Sequence, residues 1–265
     1  MSRAIVASAV SSIVKTHTNK GYISIFSRAV LAMLLLGLGS TFVVTTPWPV
    51  AYAQGDVVSF DQPEQIVGTP NQDAEPPQIA ASGKNVYIIW HEFPEETAIQ
   101  PDVFFARSTN NGKDFGARKN LSNSADIDSS NERIATSGKN VFVVWSENLD
   151  EIFFRRSANG GGSFDPAKKL SISPEATLPQ VAVSGKNVFV VWQAPDQNGI
   201  PDIFFTQSSD EGRNFDVEEN ISNNDGESEF RDHGLRQIVV SGNKVIVTWR
   251  DNTGGDFEIF FIQGK

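Results

Sequence analysis

The chain has 265 residues, 39% hydrophobic and 20% charged, with no cysteine and a formal net charge of −10. Without cysteine there can be no disulfides, thiolate zinc sites or cysteine nucleophiles, so stability rests on a packed core. The acidic balance and the absence of a basic stripe argue against a phosphate-backbone partner, and no nucleic-acid function is expected.

No Asp or Glu occurs before Asp56, whereas Arg3, Lys15, Lys20 and Arg28 are basic. An apolar run from Ala29 to Val44 follows, then Thr45-Thr-Pro-Trp-Pro49 and the small-residue segment Ala51-Tyr-Ala53. That order is the one a secretory signal uses, with cleavage expected after Ala53. The run of 16 residues is shorter than the roughly 20 of a spanning helix. The long basic stretch ahead of it keeps a retained N-terminal membrane anchor as the alternative. Residues 1–53 are therefore assigned to a signal peptide or anchor, and a secreted or envelope location on the extracellular face is expected. Removing them leaves 18 Lys and Arg against 32 Asp and Glu, a formal charge of −14.

From residue 54 onward the chain repeats itself. Ser82-Gly-Lys-Asn-Val-Tyr-Ile-Ile-Trp90 returns as Ser137 to Trp145, Ser184 to Trp192 and Ser241 to Trp249, always with seven residues from Gly to Trp. Each Trp is followed by an acidic-apolar-Phe-Phe strand, at Asp102, Glu151, Asp202 and Glu258. After three of these comes a turn of the form Ser-x-(Asn/Asp)-x-Gly-x-x-Phe, with an apolar anchor six residues beyond its Phe at Leu121, Leu170 and Ile221. The period of roughly fifty residues and the β-branched and aromatic content predict four strands per unit and a stacked β architecture. The Ser-Gly segment of each unit turns the first strand into the second. The second strand is apolar on both faces, as a strand between stacked sheets must be. The fourth unit stops after its third strand, while Ser59-Phe-Asp-Gln-Pro-Glu-Gln-Ile66 resembles Ser163-Phe-Asp-Pro-Ala-Lys-Lys-Leu170. The N-terminal segment is expected to supply the missing strand and close the ring. The expected fold is thus an all-β propeller over 54–265, with four blades of four antiparallel strands.

The three turns read Ser108-Thr-Asn110-Asn-Gly112-Lys-Asp-Phe115, Ser157-Ala-Asn159-Gly-Gly161-Gly-Ser-Phe164 and Ser208-Ser-Asp210-Glu-Gly212-Arg-Asn-Phe215. They resemble the Asp-box of bacterial neuraminidase repeats, and residues 56–265 resemble an Asp-box propeller of the sialidase superfamily. Secreted and cell-surface repeat proteins of archaea and bacteria are the nearest type. The resemblance implies a propeller but not sialidase catalysis. Those enzymes use a tyrosine nucleophile and an arginine within a Phe/Tyr-Arg-Ile-Pro motif, which is absent here. Tyr87, the one tyrosine after residue 53, sits at a core position of the repeat. Many members have six or more blades, which leaves open a larger ring shared by two chains.

Function is expected on the face whose loops vary. Trp to the first Phe spans 14, 8, 12 and 11 residues in successive units, and the fourth-strand anchor to the next Gly 17, 17, 15 and 21, whereas the Ser-Gly and Asp-box turns are constant. These loops are acidic. His91, Ser146, Gln193 and Arg250 follow the four Trp residues directly, with Glu92, Glu147 and Asp251 beside them and Arg231 and His233 in the longest loop. The expected role is non-catalytic binding of a carbohydrate or a surface protein. The alternatives are a glycoside hydrolase using a carboxylate pair and a self-associating envelope component. No cofactor is demanded; the one metal expectation is weak Ca²⁺ binding at Asp196-Gln-Asn198-Gly199. The acids that open each third strand read as hydrogen-bonding devices. Asn120-Leu-Ser122 and Asn220-Ile-Ser222 match the glycosylation sequon.

Overall fold

Gly83, Gly138, Gly185 and Gly242 adopt φ of +60, +60, +59 and +63°, the left-handed region that a side chain disfavours. Each closes the hairpin between the first and second strands of a unit. The computed structural model of the chain describes residues 62–66, 73–93, 100–124, 126–230, 237–242 and 244–264. The expected signal or anchor at 1–53 lies outside them. The described residues all belong to one unit, Asp61–Lys265.

The first blade is β1 (Gln78–Ser82), β2 (Asn85–Glu92), β3 (Asp102–Ser108) and β4 (Lys119–Asn120), hydrogen-bonded in that order. The second is β5 (Ser129–Ser137), β6 (Asn140–Glu147), β7 (Glu151–Ser157) and β8 (Lys168–Lys169), and the third is β9 (Thr177–Ser184), β10 (Asn187–Pro195), β11 (Pro201–Ser208) and β12 (Glu219–Asn220). In the fourth, β13 (Ser228–Glu229) and β14 (Ile238–Ser241) share one edge of β15 (Lys244–Asp251), whose other edge takes β16 (Glu258–Gly264). All pairings are antiparallel, and no helix among the described residues is long and apolar enough to cross a membrane.

Within each blade the register sets Trp opposite the first Phe of the third strand. The rings stack with centroids 6.1, 5.9, 6.4 and 6.3 Å apart in successive blades. Between blades, one face packs on the opposite face of the next. Tyr87, Ile89 and Phe105 meet Val141, Val143 and Trp145, and Phe142, Val144 and Phe154 meet Val188, Val190 and Trp192. Phe189, Val191 and Ile203 meet Val245, Val247 and Trp249. Each such side chain contributes about 1.5–3 kcal/mol on burial, which explains how a chain without disulfides holds the stack. Tyr87 is fully buried within it, as its repeat position demands. The first strands of all four blades line one central cavity of about 410 Å³.

Among the described residues, side chains of the first and last blades are more exposed than their counterparts in other blades. Ile259 and Phe261 of β16 are 80% and 71% exposed, where their counterparts Val103 and Phe105 in the first blade are 0%. Ile79 of β1 is 68% exposed, against 7% for its counterpart Ile134. The expected closing strand at 59–66 falls partly outside the described residues. Its described part, 62–66, forms no strand, is exposed, and lies beside the turn Asn111–Phe115 of the first blade. Among the described residues β16 therefore pairs only with β15.

Candidate functional site

Backbone hydrogen bonds sort the loops into two faces. The Asn111, Gly160 and Glu211 N–H groups, one in each Asp-box, donate to the Lys84, Lys139 and Lys186 carbonyls of the Ser-Gly turns at 2.8, 2.7 and 2.8 Å. The constant turns thus share one edge. The variable loops meet on the other: Ser129 N–H donates to the Pro101 carbonyl, Asn148 N–H to Asp128 and Ala176 N–H to Asp150, at 3.0, 2.8 and 3.0 Å.

On the variable face the acids two residues after Trp90, Trp145 and Trp249 point inward. Glu92 is 2% exposed; it accepts from Trp90 Nε1 at 2.8 Å and pairs with Arg118, whose guanidinium lies 4.4 Å from the Phe104 ring centre. Glu147 accepts from Trp145 Nε1 at 3.1 Å and from Ser124 Oγ at 2.7 Å. Asp251 is 1% exposed and accepts from Asn224 Nδ2, Ser228 Oγ, Thr253 N and Thr253 Oγ1 at 2.5–2.8 Å. Burial raises the Asp251 pKa, but these donors outweigh it and hold the carboxyl at about 2. Three carboxylates singled out from the sequence as site candidates are thus committed to donors of the protein itself.

The four residues following Trp do not form one cluster; among the described residues no hydrogen bond or ion pair joins one of them to another. His91 Nδ1 lies 2.8 Å from Glu132 Oε2 across the junction of the first two blades. A bulge in β5 between Ser130 and Arg133, with Asn131 at φ +56°, carries Glu132 at that junction. Burial lowers the His91 pKa, yet the bond to Glu132 and the charges of Glu132, Glu75 and Asp128 leave it raised above 6.5. Ser146 is buried, donating to the Ser130 carbonyl and accepting from Asn131 Nδ2. Gln193 Oε1 accepts from Phe230 N at 2.9 Å across the third junction. Arg250 forms a two-nitrogen pair with Glu229 and lies 3.7 Å from the Phe257 ring centre. Arg231 and His233 lie outside the described residues.

The calcium candidate Asp196-Gln-Asn198-Gly199 lies in the loop between β10 and β11. Asp196 Oδ1 accepts from the N–H groups of Asn198 and Ile200 at 2.8 and 2.9 Å, and Oδ2 accepts from Asn198 Nδ2 at 3.0 Å. These bonds, led by Ile200, lower its pKa. These bonds hold the segment as a turn. Among the described residues no group of three or more His, Cys, Asp or Glu side chains converges as a metal site.

The strand-opening acids Asp102 and Asp202 each accept from an Asn Nδ2 and a Ser Oγ of the fourth strand's tripeptide, at 2.6 and 2.7 Å in both blades. The acceptors for Asn120 and Asn220 are therefore inside the blade, and their amide nitrogens are engaged. Glu151 instead pairs with Lys169 at 2.5 Å, because the second blade has Lys where the first and third have Asn.

Pattern reading missed the Glu132 partner of His91, 41 residues away, since only the bulge brings it near. It also missed the exposed tips of the variable face. Phe93, Leu149 and Phe257 are 37%, 53% and 42% exposed, all in the loops between second and third strands.

No protein-family model matches the chain, and no curated protein does. Solved structures resemble it in fold. The exo-β-1,3-galactanase of Phanerochaete chrysosporium is 10% identical over 68% of this chain and 43% of its own, with a TM-score of 0.42. A sialidase of Trypanosoma rangeli is 12% identical over 68% and 34%, with a TM-score of 0.45. A protein of unknown function from Dyadobacter fermentans is 13% identical over 68% and 49%, with a TM-score of 0.47. The chain spans less than half the length of each of these structures.

Proposed function

We propose that the protein is a non-catalytic binding propeller, secreted or held at the cell envelope, which presents its variable loop face to a carbohydrate. The observation that carries this reading is the state of Glu92, Glu147 and Asp251. Hydrolysis of a glycoside needs one carboxyl to protonate the leaving group and another to attack or to activate water. Here each candidate is buried at the end of β2, β6 or β15 and is bonded to an indole, hydroxyl, amide or guanidinium of the chain. Exposed Phe93 and Phe257 beside the His91–Glu132 and Arg250–Glu229 pairs offer what a sugar surface takes: an apolar ring face and directional polar groups. An extracellular location is supported by the signal-like order of residues 1–53.

The test is affinity electrophoresis through gels containing soluble polysaccharides of varied linkage. Phe257→Ala is expected to weaken retardation about tenfold, while Glu147→Gln leaves it within about twofold. Retardation lost with Glu147→Gln on folded protein, and kept with Phe257→Ala, would contradict the assignment. A blank panel would shift the partner to a protein.

A further inference from the structure

The cations of this chain divide by use. Most are committed to the fold. Some meet carboxylates, as Arg118 meets Glu92 and Lys169 meets Glu151. Others donate to backbone carbonyls, as Arg107 does to Gly160 and Lys168 to Arg213. Lys84, Lys113, Lys139, Lys186 and Lys244 have no hydrogen bond or ion pair among the described residues. All five are exposed, and all five lie in the constant turns.

Four of them surround the axis. Lys84, Lys139, Lys186 and Lys244 belong to the turns between the first and second strands of successive blades, and the first strands line the central cavity. Hydrogen bonds tie these turns together around its opening. Ser137 Oγ donates to the Gly185 carbonyl at 3.0 Å and Ser184 Oγ to the Gly242 carbonyl at 3.5 Å, while Thr136 Oγ1 donates to the Ala81 carbonyl at 3.3 Å. None of the four turns contains an acid. They also stand clear of the rest of the fold, because a Cβ added at Gly83, Gly138, Gly185 or Gly242 would meet nothing within 4 Å. Uncommitted acids on this side, such as Asp216 and Glu219, lie farther out, at the outer edge of the third blade. The opposite charge collects on the other face, where Asp73, Asp126, Glu175, Asp225 and Asp256 are exposed in or beside the variable loops. Four protruding ammonium groups on separate blades suit a broad anionic surface better than a small anion, which one or two of them would satisfy.

We propose that the constant face docks on an anionic phospholipid surface through Lys84, Lys139, Lys186 and Lys244, with Lys113 at the rim. Docked this way, the chain turns its variable loops away from the membrane and toward their ligand. Charge sets the orientation, since the headgroups that attract the lysine ring repel the acids of the opposite face. The inference rests on the envelope location proposed above and is independent of which glycan is bound.

A thiol-reactive, environment-sensitive dye on the full chain tests this, because no native cysteine competes for it. One label is carried by Asn187→Cys, exposed beside Lys186, and another by Leu149→Cys on the variable face. Mixed phosphatidylglycerol and phosphatidylcholine vesicles at about 0.1 M salt are expected to shift the emission at position 187 to the blue and leave position 149 unchanged. Vesicles of phosphatidylcholine alone should shift neither. Each lysine near an anionic surface is worth about fivefold in the binding constant, so Lys84→Gln with Lys139→Gln should lower it about 25-fold. Salt at about 1 M should abolish the shift. Both lysines are exposed and unpaired, so the fold and the retardation by polysaccharide should be unchanged in the double variant. A blue shift at position 149 instead, an equal response to both vesicle types, or a shift indifferent to the double substitution would overturn the proposal. A shift at position 187 in wild-type chain that no polysaccharide retards would support the docking while overturning the glycan reading.

Discussion

Trp90 and Trp145 donate their indole N–H to the glutamate two positions on, whereas Trp192 and Trp249 have no acceptor among the described residues. The third blade has Ala194 at that place, and the shorter Asp251 is occupied by four other donors. Glu147→Ala strands the indole N–H and the Ser124 hydroxyl, and should cost about 1–3 kcal/mol in urea unfolding. Glu147→Gln keeps an acceptor oxygen and should cost clearly less. Two pH dependences follow from the same scale. The His91 pKa is raised, so its pairing with Glu132 stabilises fully below 6.5 and is lost as pH rises through the folded value. The stability gap between wild type and His91→Asn should be wider at about pH 5.5 than at about pH 8.5, and a gap that widens with pH would contradict the pairing. Asp251 is lowered from 3.8 to about 2, so its contribution is present above 3.8 and lost as pH falls through about 2. The penalty of Asp251→Asn should accordingly shrink in acid.

At the scale of the element, the Asp-box is a turn that also clamps two blades. Gly138 and Gly161 share the left-handed φ, +60 and +74°, but a Cβ at Gly138 meets nothing within 4 Å while one at Gly161 strikes Phe105. Gly138→Ala should cost about 1–2 kcal/mol from backbone strain alone. Gly161→Ala adds overpacking of about 1–3 kcal/mol, and thermal unfolding of the two variants separates the terms. Equal losses would mean that the box does not press on the preceding blade. The turn half of this was legible in the sequence, because Asn or Asp followed by Gly is local chemistry. The clamp was not, since nothing within Ser157–Phe164 names Phe105, some fifty residues earlier.

For the whole molecule, the repeat spacing predicted the blades, their strand order and the strand buried on both faces, and the structure forms them. Closure by 59–66 rests on likeness to Ser163–Leu170, and that segment falls partly outside the described residues. Among the described residues β16 keeps its outer edge unpaired. The candidate site was legible only as a face. Loop lengths located it, but the count of carboxylates overstated its reactivity, because burial and hydrogen-bond partners decide whether an acid is available and neither is written in spacing. Two opposed consequences of that difference can be read in one assay. Wild-type protein would be incubated with a broad set of immobilised glycans, scoring retained protein and released sugar in the same wells. The account predicts retention on at least one glycan with no sugar released from any; release that disappears in Glu92→Gln or Glu147→Gln would contradict it.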